Sequence, residues 1–157
     1  TEIDQGTTCK IYLPAQENRT VHPDNKQVTP VITHGQGEGV IIVEDDYDVR
    51  VTTVKALGQS GYQVFEAADA AEALKIIEEN SDEISLMLSD VVLPGMSGLE
   101  LAQTVSTRFK HINILLGSGH SMHEPARREI EAGQLPFIEK PYVIPDLLKT
   151  LVQLKNN

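Results

Sequence analysis

From position 40 onward, short apolar runs alternate with segments in which apolar residues recur every three or four positions. The runs cover residues 40–43, 62–65, 84–88, 112–116 and 136–138, each short enough for a β-strand. Between them, helical spacing marks residues 48–59 (Val51, Val54, Leu57), 70–79 (Ala73, Leu74, Ile77), 98–109 (Leu99, Leu101, Ala102, Val105) and 125–132. A fifth helix is expected over 146–154, with Leu147, Leu148, Leu151 and Val152 on one stripe and Pro145 at its start. Ser97 followed three residues later by Glu100 has the form of a capping box, and Gly133 stands where a C-terminal glycine would end the fourth helix. The pattern is βα repeated five times. Runs that stay apolar at successive positions belong to strands covered on both faces, so we expect a doubly wound α/β fold with a parallel sheet and helices on both sides.

The upstream part has no such period. Cys9 to Leu13 read as a short strand stopped by Pro14. Residues 15–38 carry Pro23, Pro30, Gly35, Gly37 and many polar groups, the composition of a flexible linker. This divides the chain into 1–14, a linker at 15–38 and a domain at 39–157. Because the chain opens at Thr1, inside an apparent strand, we expect it to be a fragment of a longer protein.

Composition narrows the function classes. The 157 residues are 40% hydrophobic and 23% charged, enough for a core, and the formal charge of −10 repels a nucleic-acid backbone. One cysteine, Cys9, allows neither an internal disulfide nor a multi-cysteine zinc site, which fits a reducing cytoplasm. No apolar run approaches the ~18 residues of a membrane span, so this piece should make no membrane contact, although a parent chain could be membrane-anchored.

In a doubly wound sheet the reactive crevice lies beyond the carboxyl ends of the strands. The residues expected just after the strands are Glu44, Asp45 and Asp46, then Asp90, Ser118 and Lys140. With strand order 2-1-3-4-5, Asp45 and Asp90 stand on neighbouring strands about 4.8 Å apart, and an extended lysine covers much of the ~10 Å from strand 5 to strand 3. Crowded carboxylates call for a cation, and an all-oxygen donor set in a shallow crevice suits Mg2+ better than a calcium cage. A carboxylate beside that ion, faced by an ammonium and a hydroxyl, is equipped to accept a phosphoryl group. Asp90, alone on its strand end, is the expected nucleophile, with Glu44 and Asp45 better placed to hold the metal.

Four stretches together resemble the receiver domain of two-component response regulators: residues 40–46 (VIIVEDD), 88–98 (LSDVVLPGMSG), 115–119 (LLGSG) and 139–142 (EKPY). The resemblance implies a flavodoxin-like, CheY-like fold with strand order 2-1-3-4-5, and phosphorylation of Asp90. It implies Asp45 and Asp90 as direct Mg2+ ligands, Glu44 acting on the metal largely through water, and the main-chain carbonyl of Val92 as the remaining protein ligand. It makes Lys140 and Ser118 the groups that engage the phosphoryl oxygens, Ser118 and Phe137 the switch pair, and the Lys140-Pro141 bond cis. Val92 and His120 would flank the phosphoryl group, and apolar Val92, unable to orient water, implies slow self-dephosphorylation. Residues 6–14 resemble the last strand of a histidine-kinase ATP-binding domain, which implies a hybrid sensor histidine kinase as parent. This piece would then be a phosphoacceptor without a kinase core. The expected partners are a histidine kinase phosphodonor domain, a histidine phosphotransfer protein, or both.

Each residue also has a plainer reading. The acidic triplet could be a solvated helix N-terminus, Ser118 a turn residue, Lys140 a surface charge and Phe137 core packing. His120 and His123 lack a third ligand and read as exposed loop residues. Val51 and Lys55 on the outer side of the first helix could contribute to a partner surface. Two other functions compete. A haloacid-dehalogenase-type phosphatase needs D-x-D-x-[TV], which Asp46-Tyr47-Asp48 begins and Arg50 breaks, and it leaves Asp90 unexplained. A degenerate receiver acting as a phosphate-independent interaction module would not need Glu44, Asp45, Asp90, Ser118 and Lys140 intact.

Overall fold

A computed structural model describes Lys10, residues 35–119, Arg128, Ala132 and residues 135–155. The elements are β1 (Gly39–Val43), α1 (Tyr47–Gln59), β2 (Gln63–Ala67), α2 (Ala70–Glu79), β3 (Ile84–Asp90), α3 (Gly98–Arg108), β4 (Asn113–Ser118), β5 (Phe137–Glu139) and α4 (Ile144–Lys155). The expected strand near Cys9, the expected helix at 125–132, Gly133, His120 and His123 lie outside the described residues, apart from the isolated positions named above.

The five strands form one parallel sheet in the order β2-β1-β3-β4-β5, as expected. All five residues of β1 are buried, because alternate side chains enter two separate cores. Ile41 and Val43 pack with Ala73 and Ile77 of α2 and Leu101, Ala102 and Val105 of α3. Val40 and Ile42 pack with Leu57 of α1 and Leu147, Leu148 and Leu151 of α4. The sheet thus carries a helical layer on each face, which leaves the carboxyl ends of its strands as the open rim.

Three boundaries differ from the sequence reading for one physical reason. Apolar runs stop where the residue types turn polar, but ladder pairing uses backbone groups and continues through polar residues. Asp90 pairs in register with Gly117, and Ser118 with Glu139, so both polar residues are the last positions of their strands rather than the loops beyond. Glu66 likewise pairs with Ile42 and carries β2 on to Ala67. The stripe on α1 also shifts. Val51 is exposed, while Thr53 and Leu57 are its buried residues. Thr53 is 4% exposed and shares the lining of one groove with Tyr142.

The chain enters the domain along the opposite, amino end of the sheet. The Gly35 and Gly37 amides donate to the carbonyls of Ser60 and Gly61, and the Gln63 amide donates to the carbonyl of Glu38. Glu38 also pairs with Lys155 at the end of α4.

Candidate functional site

The acidic triplet after β1 is divided by the direction of the chain. Asp46 is the N-cap of α1, its carboxylate accepting from the amides of Asp48 at 2.9 Å and Val49 at 3.0 Å. Glu44 and Asp45 turn instead toward β3, and one oxygen each from Glu44, Asp45 and Asp90 lie within 4.8 Å of one another. Glu44 is 5% exposed, and its amide is held by the Ala67 carbonyl at 3.1 Å. The plain helix-terminus reading of the triplet therefore holds for Asp46 alone.

Asp90 is fixed from both sides. One carboxylate oxygen accepts from the Val92 amide at 3.1 Å, the other from the Lys140 ammonium at 2.7 Å. Behind it, α3 begins so close that a β-carbon at position 98 would lie 1.8 Å from the Asp90 carbonyl oxygen, so only glycine fits at Gly98. The Gly98 amide donates to Val91, and Ser97 and Glu100 form the expected reciprocal capping box. The 91–97 loop is thereby tied at both ends.

Lys140 follows β5 and reaches across β4 to the acids of β1 and β3, bonding Glu44 at 2.5 Å as well as Asp90. Its path runs over Gly117, where a β-carbon would come within 3.1 Å of the lysine Cε. The Lys140 amide donates to the Ser118 carbonyl at 2.6 Å, and the Lys140-Pro141 bond is cis. Ser118 itself is 2% exposed. Phe137 stands beside Leu116 in register, partly buried against the α2/α3 core.

The charges act on one another. Burial alone would pull the Lys140 ammonium down, but hydrogen bonds and charge from Asp90 and Glu44 outweigh it and hold its pKa above the ordinary value. Burial pushes the Glu44 carboxyl up, partly offset by Lys140 and reinforced by the charges of Asp90 and Asp45. Three carboxylates face one ammonium here, so the group is short of positive charge even with the lysine in place. Its all-oxygen donor set fits a hard divalent cation, with Glu44, Asp45 and Asp90 as the side chains able to hold one.

The rim is apolar. Val92 is 64% exposed and Met96 39%. Beside Lys140, a groove of about 870 Å³ runs between α1 and the segment joining β5 to α4, lined by Val49, Thr52, Thr53, Tyr142, Val143 and Ile144 among others. Val51 and Lys55, expected at a partner surface, are exposed but do not line this groove. The sequence signal for it was present in Val49 and Val143, apolar residues that fall off the helical stripes. Gly117 and Arg50 were also missed as contributors. Gly117 could have been suspected as the one glycine inside an otherwise apolar strand, where glycine often marks a close approach.

A family model described as the response regulator receiver domain matches residues 40–152. The sensor kinase CckA of Brucella abortus is 33% identical over 159 residues, which covers 98% of this chain and 17% of that protein. The sporulation initiation phosphotransferase F of Bacillus subtilis is 28% identical over 123 residues, covering 76% of this chain and 98% of that protein. Among solved structures, the chemotaxis protein CheY4 of Vibrio cholerae superposes with a TM-score of 0.67 at 28% identity, covering 75% of this chain and 98% of that one. The chain therefore spans the whole of some relatives and under a fifth of the sensor kinase.

Proposed function

The chain belongs to the response regulator receiver family of two-component systems, and from that premise we propose that Asp90 is its phosphoacceptor, taking a phosphoryl group from a phosphohistidine in a Mg2+-dependent step. The observation that carries this is the convergence of Glu44, Asp45, Asp90 and Lys140 from three separate strand ends onto one small volume. Nothing comparable supports the phosphatase alternative, since Asp46, which would open its motif, is occupied in capping α1.

In the transfer, an Asp90 carboxylate oxygen forms a bond to phosphorus as the phosphorus–nitrogen bond of the donor breaks, and the freed electron pair returns to the imidazole. Asp45, Asp90 and the Val92 carbonyl would hold a Mg2+ ion, with Glu44 acting on it through water, and the ion would supply positive charge against the phosphoryl oxygens. The Lys140 ammonium, already on Asp90, is placed to follow the charge onto a phosphoryl oxygen. The Ser118 hydroxyl donates to another, and its movement is relayed to Phe137, whose half-buried ring has an apolar core to turn into. Val92 offers no group to orient a hydrolytic water, so the acyl phosphate is long-lived.

The partner is a histidine kinase phosphodonor domain or a histidine phosphotransfer protein, whose helix would lie in the apolar groove beside Lys140. Residues 39–157 act as the receiver of a hybrid sensor histidine kinase, with 15–38 as linker and 1–14 as the end of the kinase ATP-binding domain; the alignment with the sensor kinase across 98% of this chain supports that reading. Among the described residues no helix is long and apolar enough to cross a membrane. Titration with beryllofluoride and Mg2+ tests the site. A saturable complex with shifted amide resonances around Asp90, Ser118 and Phe137 is expected, and no binding would leave the degenerate-receiver alternative standing.

A further inference from the structure

Arg50 takes no part in the phosphoryl-transfer chemistry, yet its position is costly. It is the fourth residue of α1, near the positive end of the helix dipole, where a cation is unfavourable. Its side chain is only 13% exposed, so the guanidinium must be satisfied by the protein. Its donors go to the β1–α1 loop. The guanidinium donates to the main-chain carbonyl of Glu44 at 2.6 Å and, more weakly, to that of Asp45 at 3.4 Å. Glu66 of β2 holds its Nε side at 3.3 Å, and the Tyr47 ring covers it with 5.6 Å from Cζ to the ring centroid.

These contacts fall on the two residues whose side chains face Asp90. The Glu44 amide is held by Ala67 and its carbonyl by Arg50, so both sides of that residue's backbone are pinned while its carboxylate projects into the acidic group. Without such a tie, repulsion among three carboxylates would be relieved most cheaply by the loop swinging outward, because Asp45 lies in an irregular segment and is exposed. We propose that Arg50 is a positioning residue for this site: by gripping the Glu44 and Asp45 carbonyls it holds both carboxylates toward Asp90 and preorganises them for the cation. The inference rests on the receiver reading above.

The test is Mg2+ titration of the 157-residue chain by calorimetry, comparing wild type with Arg50→Ala and Arg50→Lys, alongside acetyl phosphate labelling at varied Mg2+. Arg50→Ala is expected to weaken Mg2+ binding about tenfold, as loss of an outer-shell orienting group does. The Mg2+ concentration for half-maximal labelling should rise in step while the rate at saturating Mg2+ stays near wild type. Arg50→Lys, which is shorter and lacks both the Nε donor that Glu66 holds and the planar group that Tyr47 covers, should recover only part of the loss. An Arg50→Ala affinity within about twofold of wild type overturns the proposal. So does a fall in saturating rate without a change in Mg2+ affinity, which is the mark of a merely structural role. Should Arg50→Ala fail to fold, Arg50→Lys decides, and wild-type affinity there overturns the proposal equally. A wild type that binds no Mg2+ would instead bring down the receiver chemistry, and this inference with it.

Discussion

Two lysine–carboxylate contacts sit at opposite ends of β1, and they differ in what surrounds them. At the amino end, Lys155 meets Glu38, with the lysine side chain 45% exposed. At the carboxyl end, Lys140 meets Glu44 and Asp90, with side-chain exposures of 20%, 7% and 15%. The first is a tie between the chain's entry and its last helix, easily replaced by water. The second draws charges from three elements into one small volume, where each depends on the others to remain there. Identical chemistry is a fastener at one end and a poised site at the other, and burial and convergence make the difference.

Removing the lysine at each end should expose that contrast. Lys140→Met leaves Glu44 and Asp90 facing each other uncompensated, and is expected to cost about 3 kcal/mol in Mg2+-free urea unfolding, with part recovered on adding Mg2+. Equal losses for Lys140→Met and Lys155→Met would erase the distinction. Gly117→Ala should leave stability nearly intact but push the lysine stem by tenths of an ångström, lowering the acetyl phosphate labelling rate about tenfold. An unchanged rate would show that the lysine path is not confined.

Val92→Asn adds a group that can orient water and should shorten the phosphoryl half-life severalfold, followed as decay of the labelled protein; a longer half-life would contradict the assignment of Val92. The smallest effect belongs to the amino end. Burial would raise the Glu38 carboxyl, but hydrogen bonds from Lys155 and the Gln36 amide outweigh it and hold the pKa below the ordinary 4.5. A lowered carboxyl contributes stability above that ordinary value and loses it as pH falls through the folded-state pKa. Glu38→Gln should therefore cost at most about 1 kcal/mol at pH 7 and nothing in strong acid, measured as the difference in unfolding midpoints.

Much of this arrangement was legible in the sequence because it is written in local patterns. Apolar runs and helical stripes located the strands and helices, and the sheet order then followed from the receiver resemblance. Asp90, Ser118 and Lys140 fell together at one end of the sheet because a doubly wound fold gathers its reactive residues at the carboxyl ends of the strands. What escaped depends on backbone geometry that residue types do not record. Three consecutive acids look alike in sequence, but only Asp46 lies where its carboxylate meets the free amides of α1. Val51 fits the helical period as well as Thr53 does, but it is Thr53 that the packing of α1 buries and Val51 that it leaves exposed. Arg50 acts on main-chain carbonyls, which every residue possesses, so its partners leave no signature in the sequence.

The claim on which the account depends is that the acidic group with its lysine makes Asp90 a phosphoacceptor. Intact-mass measurement after incubation with acetyl phosphate and Mg2+ tests it most directly. Wild type is expected to gain one phosphoryl group that maps to Asp90, and to gain none with EDTA or as Asp90→Asn. Labelling that persists in Asp90→Asn, or a wild type that takes up no phosphoryl group, would contradict it.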